Sequence, residues 1–234
     1  MIKTNRFPGS RPFTKEFKDI FFGRKQDIID LQKYVMVEKL TVMYGKSGLG
    51  KSSLINAGLV PEIENKYIIL FVRFGNYSEN SKNLPLEILN LKLSEFSSKP
   101  SFLNNVENED ISLWQSLKNI QVNSPEKEGI LLIFDQFEEL FTFPQGVTEF
   151  VKEFADVLNN KVPKTFRRML NLKLQKNPDI LTDEEIAMID TNINLKVLMS
   201  IRSDRMSNLN KMSESIPNIL RNCYELKPLN RVHP

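Results

Sequence analysis

The chain has 234 residues, 41% of them hydrophobic, with 32 Lys and Arg against 29 Asp and Glu and a formal charge of +3. That length suits one large domain with a sizeable core, and so small a net charge does not by itself point to nucleic acid. The single cysteine, Cys223, excludes an internal disulfide framework, and the paired Cys and His spacings of a zinc site are missing, which fits a reducing compartment. Met1-Ile2-Lys3-Thr4-Asn5-Arg6 leads into Pro8 and Gly9 without an apolar targeting core, and no apolar run reaches the length of a membrane span. The expected location is the cytoplasm, with no membrane partner.

In chain order, residues 26–35 carry Ile28, Ile29, Leu31 and Tyr34 at helical spacing, leading into an apolar, strand-like run at 39–45. Residues 45–52 then read Gly45-Lys46-Ser47-Gly48-Leu49-Gly50-Lys51-Ser52, the pattern G-x-x-x-x-G-K-[ST], and residues 53–59 can run as a helix to Pro61. Between a strand and a helix, this pattern makes backbone N–H groups converge on phosphates. Glycine frees the turn from Cβ clashes, and the helix N-terminus adds partial positive charge. Lys51 would reach the β- and γ-phosphates and the Ser52 hydroxyl would ligate Mg²⁺, the spacing favouring Ser52 over Ser53, with Gly45 through Ser53 around the phosphates. The implied ligand is a nucleoside triphosphate.

Further strand-like runs occur at 67–74, 130–135, 195–202 and 223–229, separated by helical patterns. Such alternation predicts an α/β fold with a parallel sheet and the glycine-rich loop at the C-terminal end of its first strand, where these folds bind ligands. The polar stretches 76–83 and 97–110 read as loops. Residues 147–158 form the cleanest amphipathic helix, and Thr182-Asp183-Glu184-Glu185 reads as a capping box opening another. Between them, 159–179 is a basic excursion punctuated by Pro163 and Pro178, in which Lys161, Lys164, Arg167, Arg168, Lys173 and Lys176 crowd together. It reads as a solvated helix face with Phe166, Met169 and Leu170 turned to the core. Nucleic acid is the less favoured partner for it, because aromatic stacking residues are sparse.

A second acidic centre follows the run Ile130-Leu131-Leu132-Ile133-Phe134, which ends in Asp135. A carboxylate at the tip of an apolar strand is suited to hold Mg²⁺ opposite the phosphate loop. Gln136-Phe137-Glu138-Glu139 adds two carboxylates, of which Glu138 is the first choice for orienting water and Glu139 the second; both can also be read as charges stabilising the next helix N-terminus. The run 195–202 ends in Arg202. If that strand lies between those carrying Lys51 and Asp135, Arg202 can reach the γ-phosphate; otherwise it pairs at the surface with Asp204 or Glu138.

Together these segments resemble the novel STAND NTPases, relatives of NACHT and apoptotic ATPases. The resemblance is carried by Phe7-Pro8-Gly9-Ser10-Arg11-Pro12-Phe13, Phe21-Phe22-Gly23-Arg24, and the phosphate loop running through Ser53-Leu54-Ile55-Asn56-Ala57-Gly58-Leu59-Val60-Pro61. Asp135 through Phe141 and Arg202-Ser203-Asp204 complete it. It implies a P-loop NTPase three-layer sandwich around a five-stranded parallel sheet of order 5-1-4-3-2, with residues 1–38 as an adenine-side segment and helix and 39–229 as the core. Phe22, Gly23 and Arg24 would line the adenine side of the pocket, although Arg24 by position alone reads as a surface residue near a helix start. The implied cofactors are ATP or ADP with Mg²⁺. The implied behaviour is a slowly hydrolysing switch, closed with ADP and self-associating with ATP, in signal transduction or bacterial antiviral defence. The family's lid, winged helix, sensor and effector would lie outside this chain, and 159–179 is longer than the usual connection. A nucleotide-bound interaction module without turnover, or a DNA-associated ATPase of the AAA+ type, are the other classes the residues allow.

Overall fold

The computed structural model describes residues 12–96, 101–106 and 111–229. Five strands among them form one parallel sheet: β1 (Leu40–Gly45), β2 (Tyr67–Val72), β3 (Gly129–Phe134), β4 (Leu195–Arg202) and β5 (Cys223–Glu225). Their spatial order is β2-β3-β4-β1-β5, the expected 5-1-4-3-2. The register sets Gly45 beside Arg202, so β1 and β4 end level, and Phe134 beside Met199, so β3 ends three residues short of the β4 tip on the same C-terminal side of the sheet.

The layers follow from strand periodicity. Every residue of β3 is buried, and successive side chains point to opposite faces. Ile130, Leu132 and Phe134 enter one core with side chains of α4 (Pro85–Ser94), α5 (Leu113–Val122), α6 (Val147–Leu158) and α7 (Lys164–Lys176). Leu131 and Ile133 enter the other, with α1 (Lys25–Val37) and the helix that follows the glycine-rich loop. The sheet is thus the middle layer of a three-layer sandwich, as the family resemblance implies.

The basic excursion is largely helix. In α7, Phe166 and Leu170 are buried, Phe166 with its ring 5.1 Å from that of Trp114, while Lys164, Arg167 and Arg168 face solvent. Thr182 caps α8 (Asp183–Asp190) through the expected capping box.

Several boundaries differ from expectation. The helix after the glycine-rich loop begins as α2 (Lys51–Ser53), widens into a π-helical stretch over Leu54–Leu59 and continues as α3 (Val60–Ile63), passing Pro61. A proline ring crowds the carbonyl four residues back, and the wide turn opens the spiral in that region. β2 ends at Val72 rather than Phe74; the Asp135 N–H still donates to the Val72 carbonyl at 3.0 Å, and beyond it Phe74 turns into an aromatic cluster. β5 is shorter than 223–229, pairing with β1 alone at the sheet edge. Within 97–110, Phe102–Asn105 form a 3₁₀ turn that buries Leu103, with Val106 buried beside it, because these apolar side chains reach the core; the rest of that stretch lies outside the described residues, as do Phe7 to Arg11.

Candidate functional site

β1 delivers the chain to Gly45, where a Cβ would sit 2.8 Å from the Leu226 carbonyl oxygen, so only glycine lets β1 and the exit of β5 approach this closely. Gly50 takes φ +87°, a left-handed turn that releases α2. Lys51 folds back over the loop, its Nζ donating to the carbonyls of Gly45 at 2.9 Å and Lys46 at 3.2 Å. Burial pulls its pKa down, opposed by Glu138 and Asp135. Ser47 and Gly48 line the same cleft.

The two residues expected to hold a cation meet. Ser52 Oγ donates to Asp135 Oδ2 at 2.7 Å across 83 residues of sequence. Asp135 is held at the strand tip by the rings on either side: Phe134 and Phe137 pack 5.3 Å apart, and Phe134 packs against Phe150 and Phe154. Its second oxygen, Oδ1, is buried with no hydrogen-bond partner among the described residues. A buried lone carboxylate oxygen is costly unless a cation or donor completes it, so the pair fits Mg²⁺, which takes few protein ligands and shares the rest with phosphate and water. Ser53 is turned away: its Oγ accepts the Phe13 N–H at 3.1 Å.

Beyond Asp135 the chain enters a left-handed residue, Gln136 (φ 55°), and then a 3₁₀ turn, Phe137–Thr142. The two glutamates part here. Glu139 is buried and fully engaged, accepting from Arg73 Nη2 at 2.9 Å, Arg73 Nε at 3.2 Å and the Gly75 N–H at 2.8 Å. Glu138 is partly buried at the cleft, accepts the Arg202 N–H at 3.3 Å, and has its pKa raised by burial. Arg202 ends β4 between the Lys51 and Asp135 strands, and its guanidinium forks onto Asp204, Nε to Oδ1 at 3.0 Å and Nη2 to Oδ2 at 2.9 Å.

On the other side, Arg24 is buried rather than on the surface. It donates to the Leu49 carbonyl at 3.0 Å, the Lys227 carbonyl at 2.7 Å and Asp27 Oδ2 at 3.0 Å, tying the glycine-rich loop to the exit of β5. Phe22 is 77% exposed and Gly23 takes φ +83°. The cleft over Lys51 and Asp135 has a volume of about 550 Å³. Arg205 and Lys211 line its outer wall, and Lys211 stacks over the Phe141 ring at 5.5 Å. Arg73 and Lys211 carry no local mark in the sequence, because their partners, Glu139 and Phe141, lie about 66 and 70 residues away; Arg205, next to Asp204, reads as an ordinary surface cation.

The profile of the family described as Novel STAND NTPase 1 matches residues 7–233. The chain belongs to the novel STAND NTPase 1 family. As such it is a nucleotide-binding P-loop NTPase domain. No curated protein matches the chain. Among solved structures, it is similar to the Walker-type ATPase paby2304 of Pyrococcus abyssi, at 16% identity and a TM-score of 0.49 over 89% of this chain and 51% of that one. It is also similar to the Aeropyrum pernix ORC2 protein in its ADPNP–ADP complexes, at 15% identity and a TM-score of 0.48 over 86% of this chain and 46% of that one. The chain therefore spans about half the length of each of these two proteins. No helix among the described residues is long and apolar enough to cross a membrane.

Proposed function

We propose that this NTPase domain binds ATP and ADP with Mg²⁺, hydrolyses ATP slowly, and acts as a switch whose nucleotide state controls self-association in signalling, antiviral defence being one setting that the family resemblance implies. The observation that carries the reading is the Ser52–Asp135 hydrogen bond of 2.7 Å with a buried carboxylate oxygen that has no partner among the described residues, beside Lys51. Ser52 and Asp135 would hold Mg²⁺, which when bound neutralises charge building on the β- and γ-phosphate oxygens. Lys51 would exchange its bonds to the Gly45 and Lys46 carbonyls for phosphate oxygens. Glu138 would orient the attacking water, since burial raises its pKa toward the range of an effective proton acceptor. Glu139, taken up by Arg73 and the Gly75 N–H, would hold the turn that presents Glu138. Arg202 would contact the γ-phosphate, and Phe22, Gly23 and Arg24 would border the base.

One observation favours the module without turnover: Gln136 and Glu139 are both held by Arg73, which leaves Glu138 to do this work without a second carboxylate. Phosphate release by the wild type, measured beside Glu138→Gln, separates the two. Release that vanishes in the variant while ATP affinity persists supports hydrolysis. Absence of release from the wild type, with nucleotide bound, supports the module.

A further inference from the structure

We propose that Asp204 sets the preference of the site for triphosphate over diphosphate, by competing with the γ-phosphate for the Arg202 guanidinium. The proposal rests on the reading of Arg202 as the γ-phosphate contact. Asp204 occupies Arg202 through two parallel hydrogen bonds of 3.0 and 2.9 Å, the same planar fork that the guanidinium would offer a phosphate. A γ-phosphate that takes the Nε–Nη2 edge must displace Asp204, because that edge holds only one oxygen pair at a time.

The surroundings suit an exchange. The backbone of Arg202 is fixed by its register with Gly45 and by the bond from its N–H to Glu138 Oε2, whereas its side chain is 44% exposed, so solvent borders the pair it makes with Asp204. Arg205 Nε already stands 3.6 Å from Asp204 Oδ2 and can close on the carboxylate when Arg202 leaves, so release does not strand a charge. Arg202 and Arg205 line the same cleft as Lys51 and Ser52, which puts the exchange at the phosphate end. ADP, without a γ-phosphate, leaves Arg202 on Asp204. ATP whose γ-phosphate takes the Nε–Nη2 edge draws Arg202 off Asp204, and the strength of the pair then subtracts from ATP affinity alone.

An exposed ion pair of this kind shifts a binding ratio by about two- to fivefold. The opposite role, in which Asp204 aims Arg202 at the phosphate, gives the opposite sign. The test is titration calorimetry of the full chain with ADP and with a non-hydrolysable ATP analogue, for wild type, Asp204→Asn, Arg202→Ala and the double variant, with Asp204→Ala as a second neutral substitution. The expected result is an analogue-to-ADP affinity ratio raised about two- to fivefold in both Asp204 variants, lowered in Arg202→Ala, and no longer raised by Asp204→Asn once Arg202 is absent. A ratio unchanged or lowered in the Asp204 variants overturns the proposal. So does a gain that persists without Arg202, since that would be plain removal of negative charge. If Arg202→Ala leaves the ratio untouched, the reading of Arg202 itself fails; if Arg202→Ala lowers it while the Asp204 variants do not raise it, only the competition fails.

Discussion

Arg73→Met removes the guanidinium that holds Glu139, and its cost can be worked from the geometry. The Glu139 side chain is only 6% exposed and accepts from Arg73 Nη2 at 2.9 Å and Nε at 3.2 Å, leaving the Gly75 N–H at 2.8 Å as its remaining donor. Stripping one partner from a fully buried pair costs about 3–5 kcal/mol, and from an exposed pair about 0.2–1 kcal/mol. Arg73 is 56% exposed, so water entering from its side restores part of the solvation and the expected loss is about 2 kcal/mol. In a domain of this size each kcal/mol moves the unfolding midpoint by about 2–4 °C, so thermal unfolding of Arg73→Met should fall by about 4–8 °C. The double variant with Glu139→Gln should lose less than the two single losses added, because the neutral amide no longer needs the cation. A midpoint within about 1 °C of wild type, or strictly additive losses, would refute the reasoning.

Gly45→Ala should destabilise the domain by about 1–3 kcal/mol in urea unfolding and weaken nucleotide binding, since the new Cβ meets the Leu226 carbonyl oxygen at 2.8 Å and both sides are backbone; a neutral outcome would mean that β5 yields freely. Lys118 is fully buried, its Nζ donating to Thr191 O at 2.7 Å and Oγ1 at 2.8 Å, and burial pushes its pKa down from 10.5 to about 8. The unfolded chain therefore holds the Lys118 proton more tightly than the folded one, and this residue makes stability rise with pH from about 8 to about 10.5. Unfolding midpoints of wild type and Lys118→Met between pH 7 and 10 should rise more steeply, or fall less, in the wild type than in the variant, and parallel profiles would contradict it.

The parts of the molecule legible in the sequence are those written in contiguous residues. Five apolar runs carry the strands, because a parallel strand covered on both faces must be apolar throughout, as all six residues of β3 are. The glycine-rich loop is legible for the same reason, its conformation being dictated by Gly45, Gly48 and Gly50 in one short stretch. What escaped is set by the meeting of distant segments. Arg73 has no local feature beyond being a cation after a strand, and its meaning comes from Glu139, 66 residues away. Arg24 looks like a surface cation until α1, the glycine-rich loop and the exit of β5 close around it. Sequence ranked Glu138 before Glu139 without a contact to decide between them, and tertiary contacts set them apart: Glu139 takes the Arg73 cation, Glu138 only the Arg202 N–H. The π-helical stretch from Leu54 was hidden because helical periodicity does not record one wide turn.

The central claim, that the loop from Gly45 to Ser52 and Asp135 form one nucleotide-phosphate site, is tested most directly by titrating ATP with Mg²⁺ into wild type and Lys51→Ala. The variant should fold with an unfolding midpoint near that of wild type and lose at least about tenfold in ATP affinity, the worth of a charge-assisted contact to phosphate. Wild-type affinity in Lys51→Ala would contradict it.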